Sequence, residues 1–323
     1  MAIYITLDAG GTKCNGILFD SDMNILGRGL SGGVNLSQTS PEDSRANMVD
    51  CIEQMFKTYR PERVDKIFLS FVGPVDVLYE ELEKRTQLGE RLLLGEPLAG
   101  LYAGGIRDEG MLAIAGTGSD VFYITRQHQH ERRQTVGAYG PLVGDQGSGV
   151  WMGQRAIREA VKGYEGWAPK TILLDLIMEA WGIDNVWGIV EKVHGSVAPF
   201  RTIGSVAPIV GKAARMGDEV ALSIIRGAGE EMAAQAICLI DRCDIPPEHR
   251  FMVACGGAWK AHPLMFDTFR ARIRDRFPDV EVAKPIFEHV MCGPVKIMLD
   301  SGASREETVA LLKNHFSDYV IKW

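Results

Sequence analysis

The chain has 323 residues, more than one hydrophobic core usually serves, and this length predicts two domains. Hydrophobic residues make up 46% of the sequence and charged residues 24%, which is an ordinary globular composition. The net charge of -7 repels nucleic-acid phosphates and anionic membranes. We therefore expect neither a nucleic acid nor a membrane as a partner, although a local pocket for a nucleotide is compatible with this charge.

The amino terminus, Met1–Ile5, has no basic segment before its apolar run and is typical of a strand rather than a signal peptide. No uninterrupted apolar stretch reaches the roughly 18 residues of a membrane span. The 6 cysteines are scattered and none forms a CxxC pair, as in a protein with reduced thiols. These features predict a cytoplasmic protein.

Short apolar strands and two helices are predicted in the first third of the chain. The predicted strands are Ile3–Asp8, Asn15–Phe19, Asn24–Gly29, Val64–Phe71 and the short buried segment Leu92–Leu94. The predicted helices are Pro41–Tyr59, which Ser40 can cap, and Ala99–Gly104.

The pattern of strand, glycine turn and strand then starts again, which suggests a duplicated architecture. The predicted strands are Met111–Ala115, Val121–Thr125 and Phe251–Ala254. The predicted helices are Ser148–Lys162, Lys170–Trp181, Asp218–Cys243 and Ser304–Phe316, the last with Glu307 as the capping-box partner of Ser304. Strands alternating with helices predict an α/β protein.

The first glycine turn comprises Asp8-Ala9-Gly10-Gly11-Thr12-Lys13. Its glycines let the backbone approach a phosphate, Thr12 adds a hydroxyl and Lys13 adds a positive charge. Asp8, at the end of a strand, can hold a hydrated Mg²⁺ that bridges phosphate oxygens. The alternative is an ordinary hairpin turn with an aspartate at its edge.

Two further glycine turns follow. The second glycine turn, Gly116-Thr117-Gly118-Ser119, offers the same amides and hydroxyls, and two such turns in one chain can grip a polyphosphate. The third glycine turn, Cys255-Gly256-Gly257-Ala258-Trp259-Lys260, leaves room for a flat ligand against the backbone. Trp259 either borders that ligand or packs in the core.

These three turns, in this order, resemble the phosphate 1, phosphate 2 and adenosine motifs of the superfamily of sugar kinases, Hsp70 and actin. Within it, the chain is similar to the N-acetylglucosamine kinase group, also called BadF/BadG-type ATPases. The segment Gly144-Asp145-Gln146-Gly147-Ser148 is similar to that group's Gly-Asp-Glu-Gly-Ser segment.

The resemblance implies a fold of two ribonuclease-H-like, actin-like ATPase domains with a cleft between them, and ATP and Mg²⁺ as cofactors. On this basis we expect one lobe from residues 1–114 plus about 296–323, and a second from 115–295. The nucleotide is expected to contact Gly10, Gly11, Thr12, Lys13, Thr117, Gly118, Ser119, Gly256, Gly257 and Trp259, with Asp8 on the metal.

The resemblance also implies sugar-binding and catalytic residues. Asn35, Thr117 and Asp145 are placed at the sugar hydroxyls, with the alternative that Asp145 caps the helix near Ser148. The family's catalytic aspartate corresponds here to Glu96, in Leu94-Gly95-Glu96-Pro97. Glutamate in place of aspartate at this position departs from the family pattern. Gln146, where the family has glutamate, is a second departure. The alternative for Glu96 is an exposed turn residue.

The function implied is ATP-dependent phosphorylation of a sugar hydroxyl, with an amino sugar such as N-acetylglucosamine or glucosamine as substrate and a homodimer left open. One alternative is an ATPase that activates a partner enzyme through an iron–sulfur cluster. Cys238 and Cys243 are close in sequence, but their spacing does not put them on one helix face. The other alternative is a sugar sensor without catalysis, although the chain has no room for a helix-turn-helix before Asp8.

Overall fold

The computed structural model describes residues 1–126 and 134–323, which divide into two compact units. The first unit contains residues 1–108 and 285–322, and the second unit contains residues 109–284 and Trp323. The sequence places the boundaries after residue 114 and near residue 296. In the structure the strand Gly110–Ala115 belongs to the second unit, because it pairs only with strands of that sheet.

The first unit is built on a five-stranded sheet in the order β3-β2-β1-β4-β5. The strands are β1 (Ile3–Ala9), β2 (Lys13–Asp20), β3 (Ile25–Gly32), β4 (Arg63–Phe71) and β5 (Gln87–Leu93). β1, β2 and β3 form an antiparallel meander, whereas β4 and β5 run parallel to β1. The apolar side chains of β1 and β4 are buried against the first helix.

Three helices are interspersed with these strands: α1 (Pro41–Met55) between β3 and β4, α2 (Val75–Glu83) between β4 and β5, and α3 (Gly95–Gly100) after β5, continued by a π-helical turn over Leu101–Gly105. Ser40 caps α1, because its side chain accepts a hydrogen bond from the Asp43 amide. The sequence did not predict α2. The strand predicted at Leu92–Leu94 is present as the end of the longer β5, which stops at Leu93. Its predicted burial is wrong for Leu93, which is exposed at the sheet edge, whereas Leu94 is buried.

The second unit repeats the same design. Its strands are β6 (Gly110–Ala115), β7 (Ser119–Ile124), β8 (Thr135–Gly137), β9 (Phe251–Cys255) and β10 (Glu281–Ala283), in the order β10-β9-β6-β7-β8. β6, β7 and β8 are antiparallel neighbours, and β9 and β10 run parallel to β6. The two sheets therefore share one topology, which confirms the predicted duplication of an α/β domain.

The described helices of the second unit are α4 (Gly149–Glu165), α5 (Leu173–Trp181), α6 (Trp187–His194), α7 (Pro199–Gly204), α8 (Ala207–Arg215), α9 (Glu219–Arg242) and α10 (Pro263–Arg276). Of these, α9 lies against the strands β6, β7 and β8. The long helix α9 packs beside α10 and buries a row of small and aliphatic side chains, among them Ala228, Ala233 and Leu239. The sequence predicted α4, α5 and α9.

The chain returns to the first unit with a 3₁₀ turn at His289–Met291, followed by α11 (Cys292–Asp300) and α12 (Arg305–His315). α12 begins with the predicted capping box, in which Ser304 and Glu307 exchange hydrogen bonds. None of the described helices combines the length and apolar character that crossing a membrane requires.

Candidate functional site

The first glycine turn joins β1 to β2 and is closed by a hydrogen bond from the Gly10 amide to the Lys13 carbonyl, 3.1 Å. Asp8 is the last residue but one of β1 and is partly buried, whereas Thr12 is exposed. The space that a Cβ on Gly10 would enter is empty out to 4 Å. A phosphate group can therefore approach the backbone of this turn closely.

The loop after β3 carries the predicted sugar residue Asn35 and is fastened to the first glycine turn. The amides of Val34 and Asn35 donate to the Gly10 carbonyl, at 2.8 and 3.2 Å. The Asn35 side-chain oxygen accepts from the Ser37 amide at 3.0 Å, which fixes the rotamer of the side chain. The loop thus holds Asn35 beside the turn.

The segment Glu288–Met291 packs against β1, β2 and α3, and no motif in the sequence marks it. The Lys13 ammonium lies 3.1 Å from the Glu288 carboxylate. The next residue, His289, is close enough to Glu96 to affect its pKa. The only local signal is a pair of polar residues, Glu288 and His289, between the apolar pairs 286–287 and 290–291. That spacing does not predict a functional site.

Glu96 lies in the first turn of α3, just after β5. Gly95 has a φ of 72°, which lets the chain turn sharply from the strand into the helix. Desolvation by nearby protein raises the pKa of the Glu96 carboxylate. His289 opposes the rise and Asp8 adds to it. The side chain of Glu96 is nonetheless exposed to solvent.

The second glycine turn joins β6 to β7 in the second unit. The Gly116 amide donates to the Gly118 carbonyl at 2.9 Å, and the Gly149 amide, at the start of α4, donates to the Gly116 carbonyl at 2.8 Å. Thr117 is exposed, and no atom lies within 4 Å of the place where a Cβ on Gly116 would stand. This turn therefore offers the same open backbone as the first.

Asp145 is held in a left-handed conformation, φ 60°, and its side chain faces the second glycine turn. The carboxylate accepts backbone hydrogen bonds from Ser119 and Gly140, while burial raises its pKa. Ser119 also donates its hydroxyl to the Gln146 carbonyl, 2.8 Å away. The helix-capping alternative for Asp145 is wrong, because Ser148 caps α4 through the Trp151 amide.

The third glycine turn follows β9. Gly256, with a φ of 111°, sits against the Ala115 carbonyl of the neighbouring strand, and the space above Gly257 is empty out to 4 Å. Trp259 is 1% exposed, and its ring centroid lies 4.8 Å from that of Phe269. Of the two alternatives for Trp259, the structure favours core packing over a direct contact with the ligand.

Each unit, taken by itself, has a glycine turn that fits a phosphate group. The open sides of these turns, at Gly10 and at Gly116, would accept phosphate oxygens, and Gly257 leaves room for a flat group. Among residues 1–126 and 134–323, no three histidine, cysteine, aspartate or glutamate side chains form a metal cluster.

The comparisons with known proteins agree with this fold. The N-acetylmuramic acid/N-acetylglucosamine kinase of Clostridium acetobutylicum is 22% identical over 87% of this chain and 94% of its own. The N-acetyl-D-glucosamine kinase of Dictyostelium discoideum is 23% identical, with coverages of 87% and 92%. A Chromobacterium violaceum protein assigned as an N-acetylglucosamine kinase matches with a TM-score of 0.69 and 23% identity, covering 92% of this chain and 99% of that one.

A second solved structure, the ROK family glucokinase of Streptomyces griseus with glucose and AMPPNP, matches with a TM-score of 0.57 and 17% identity, covering 92% and 98% of the two chains. At such identities the structures establish the fold alone, that of a two-domain actin-like ATPase. The model of the BadF/BadG/BcrA/BcrD ATPase family matches residues 5–290. The chain belongs to this family.

Proposed function

We propose that this protein is a sugar kinase that transfers the γ-phosphoryl group of ATP to a hydroxyl group of an amino sugar, such as N-acetylglucosamine or glucosamine. The Glu96 carboxylate carries the proposal. It lies in the same unit as the first glycine turn, within electrostatic range of Asp8, and burial raises its pKa. A carboxylate tuned in this way is suited to accept a proton from an alcohol.

In this proposal the first unit supplies most of the chemistry. The amides of the first glycine turn, Thr12 and Lys13 bind the phosphates, and Asn35 orients the sugar. Asp8 would hold a magnesium ion, which would supply positive charge against the phosphates. As the sugar oxygen bonds to the γ-phosphorus and the bond to the ADP oxygen breaks, Glu96 accepts the hydroxyl proton.

The second unit contributes binding groups. Thr117, Gly118 and Ser119 of the second glycine turn bind phosphate, Gly256 and Gly257 accept the nucleoside, and Asp145 and Thr117 accept or donate hydrogen bonds to sugar hydroxyls. Asp145 has two of its four lone-pair positions occupied by the Ser119 and Gly140 amides. The remaining positions can discriminate sharply among hydroxyl groups, since hydrogen bonds to a charged acceptor are strong.

The choice of an amino sugar is supported by the relatives from Clostridium acetobutylicum and Dictyostelium discoideum, which are named for kinases of such sugars. The test is ADP release by the purified full chain with ATP and Mg²⁺, alone or with N-acetylglucosamine, glucosamine, N-acetylmuramic acid or glucose. The proposal expects turnover only when a sugar is present, and a stable phosphosugar product. Equal turnover without sugar would indicate a partner-driving ATPase, and sugar binding without turnover would indicate a sensor.

A further inference from the structure

The strongest unassigned feature near the first glycine turn is the side chain of Gln38, which lies in the loop between β3 and α1. A Cβ built on Gly11 would stand 2.4 Å from Gln38 Oε1, 2.8 Å from its Cδ and 3.0 Å from its Nε2. The whole carboxamide therefore rests in the space that a side chain at Gly11 would occupy. Any larger residue at Gly11 would displace it.

The backbone that carries Gln38 is fixed from both ends. The Gln38 amide donates to the Asn35 carbonyl at 2.9 Å, so the loop makes a tight turn after Asn35. Behind that turn, the Ser44 hydroxyl donates to the Val34 carbonyl at 2.7 Å, and the Asn47 side chain donates to the Gly33 carbonyl at 2.8 Å. The position of Gln38 over the glycine turn thus follows from the loop and not from the side chain alone.

The carboxamide itself is exposed, and within residues 1–126 and 134–323 it makes no hydrogen bond. A primary amide brings two N–H donors and one acceptor oxygen. The adjoining face of the turn, at Gly10, is empty. Since successive Cα atoms are about 3.8 Å apart, the Gln38 amide and the open space at Gly10 lie on neighbouring residues of one turn.

We propose that Gln38 is a binding residue for the terminal phosphate of ATP, to which its side-chain N–H groups donate. The terminal phosphate is favoured over the inner ones because Gln38 shares its loop with Asn35, and a sugar held by Asn35 attacks that phosphate. This inference rests on the proposed kinase function. It assigns to Gln38 the task of distinguishing ATP from ADP at the first glycine turn.

The experiment measures binding of a non-hydrolysable ATP analogue and of ADP, each with Mg²⁺, to the full chain by calorimetry. Gln38→Ala is expected to raise the Kd for the analogue about tenfold, the usual scale for a lost hydrogen bond to a charged group, and to leave the Kd for ADP within about twofold. Gln38→Glu should weaken binding of the analogue further, because it places a negative charge beside the negatively charged phosphate. Ser37→Ala, in the same loop but away from Gly11, is the matched control and should change neither constant.

The outcomes separate this inference from the proposed function. Equal losses for analogue and ADP in Gln38→Ala would overturn the assignment to the terminal phosphate, and so would an unchanged Kd for both. If Gln38→Ala raised only the KM for the sugar, Gln38 would be a binding residue for the sugar and not for ATP. If the wild-type chain binds neither nucleotide, the proposed kinase function fails as well. The wild-type measurement tests this before any variant is made.

Discussion

The Lys13 ammonium and the Glu288 carboxylate lie 3.1 Å apart, and roughly two-fifths of each side chain is open to solvent. An exposed ion pair of this kind stabilises a fold by only about 0–1 kcal/mol. The charge of a triphosphate is therefore enough to draw Lys13 away from Glu288. The pair keeps the ammonium near the first glycine turn without holding it tightly.

Lys13→Gln should weaken binding of MgATP about tenfold, because a charge-assisted hydrogen bond to phosphate is lost. The melting temperature should hardly change, given the small value of the exposed pair. Calorimetry with MgATP measures the first effect. Glu288→Gln is the companion variant: it frees Lys13 and should leave MgATP binding equal or tighter. Unchanged binding in Lys13→Gln would remove Lys13 from the phosphate site.

Asp8→Asn should abolish phosphoryl transfer while leaving the fold intact. The substitution keeps the shape of a partly buried side chain on β1 but removes the charge that would hold Mg²⁺. Turnover with saturating ATP, Mg²⁺ and sugar, together with the melting curve, checks both parts. Asp50→Asn on the outer face of α1 serves as control. Near-normal turnover of the Asp8 variant would refute the metal assignment.

Asp145→Asn should raise the KM for the sugar at least tenfold and the KM for ATP by less than about threefold. The reason is that an amide oxygen accepts hydrogen bonds from hydroxyl groups less strongly than a carboxylate does. Steady-state kinetics with each substrate varied in turn measures the two constants. Equal increases in the KM values for sugar and ATP would contradict this role. They would show that Asp145 acts by accepting the hydrogen bond from the Ser119 amide.

Much of the fold could be predicted from the sequence because its signals are local. The β1–β2 hairpin and the β6–β7 hairpin each consist of apolar strands around a glycine turn, and both are where the pattern places them. The cap at Ser304 and its partner Glu307 follow from residues only three positions apart. Helix α10 was missed, since its exposed face is so strongly charged that no apolar stripe stands out.

The candidate site was less predictable where it depends on contacts distant in sequence. Glu288 reaches Lys13 across most of the chain's length, and only the packing of the carboxyl-terminal segment against β1 and α3 brings it there. Gln38 meets Gly11 through a polar loop without periodicity. The role of Trp259 likewise depends on residues that follow it in the sequence. Its core packing becomes evident only from the ring contacts with Phe266 and Phe269 in the folded structure.

Glu81 provides a test of stability that is independent of function. Its side chain is 5% exposed and accepts hydrogen bonds from Arg45, Lys84 and Arg85. Lys84 lowers its pKa most, followed by the two arginines, and together they outweigh burial and bring it to about 2 from 4.5. Because the folded pKa is depressed, this stabilisation is complete above about pH 4.5 and disappears as the pH falls through about 2.

Glu81→Gln should therefore lower the unfolding free energy at pH 7 by an amount on the order of 2 kcal/mol, which corresponds to a fall of several degrees in melting temperature. The difference from wild type should shrink as the pH is lowered from 4.5 toward 2. Calorimetric melting across this range provides the measurement. Glu80→Gln, at the exposed neighbouring position, should have little effect, and a similar loss in both variants would contradict the role of the buried carboxylate.

Glu96 is the residue on which the proposed chemistry depends most. Glu96→Gln keeps the size of the side chain and removes the base, so kcat should fall by a factor of about 10²–10⁴ with both KM values nearly unchanged. Glu90→Gln, an exposed glutamate on β5, is the matched control. Glu96→Asp restores the residue that the family pattern has at this position, and it should retain more activity than Glu96→Gln if the backbone of α3 allows the shorter side chain to reach the hydroxyl.

The pH profile gives a second, independent reading of Glu96. A base works when deprotonated, and desolvation raises the pKa of Glu96, so the rate should begin to fall at a higher pH than an ordinary glutamate would give. His289 opposes that rise, because a protonated imidazole favours the charged carboxylate. His289→Gln should therefore shift the acidic limb of kcat/KM to still higher pH, and Glu96→Gln should remove the limb. If Glu96→Gln leaves kcat within about threefold of wild type, another group is the base, and Asp76, exposed in the first turn of α2, is the next to substitute.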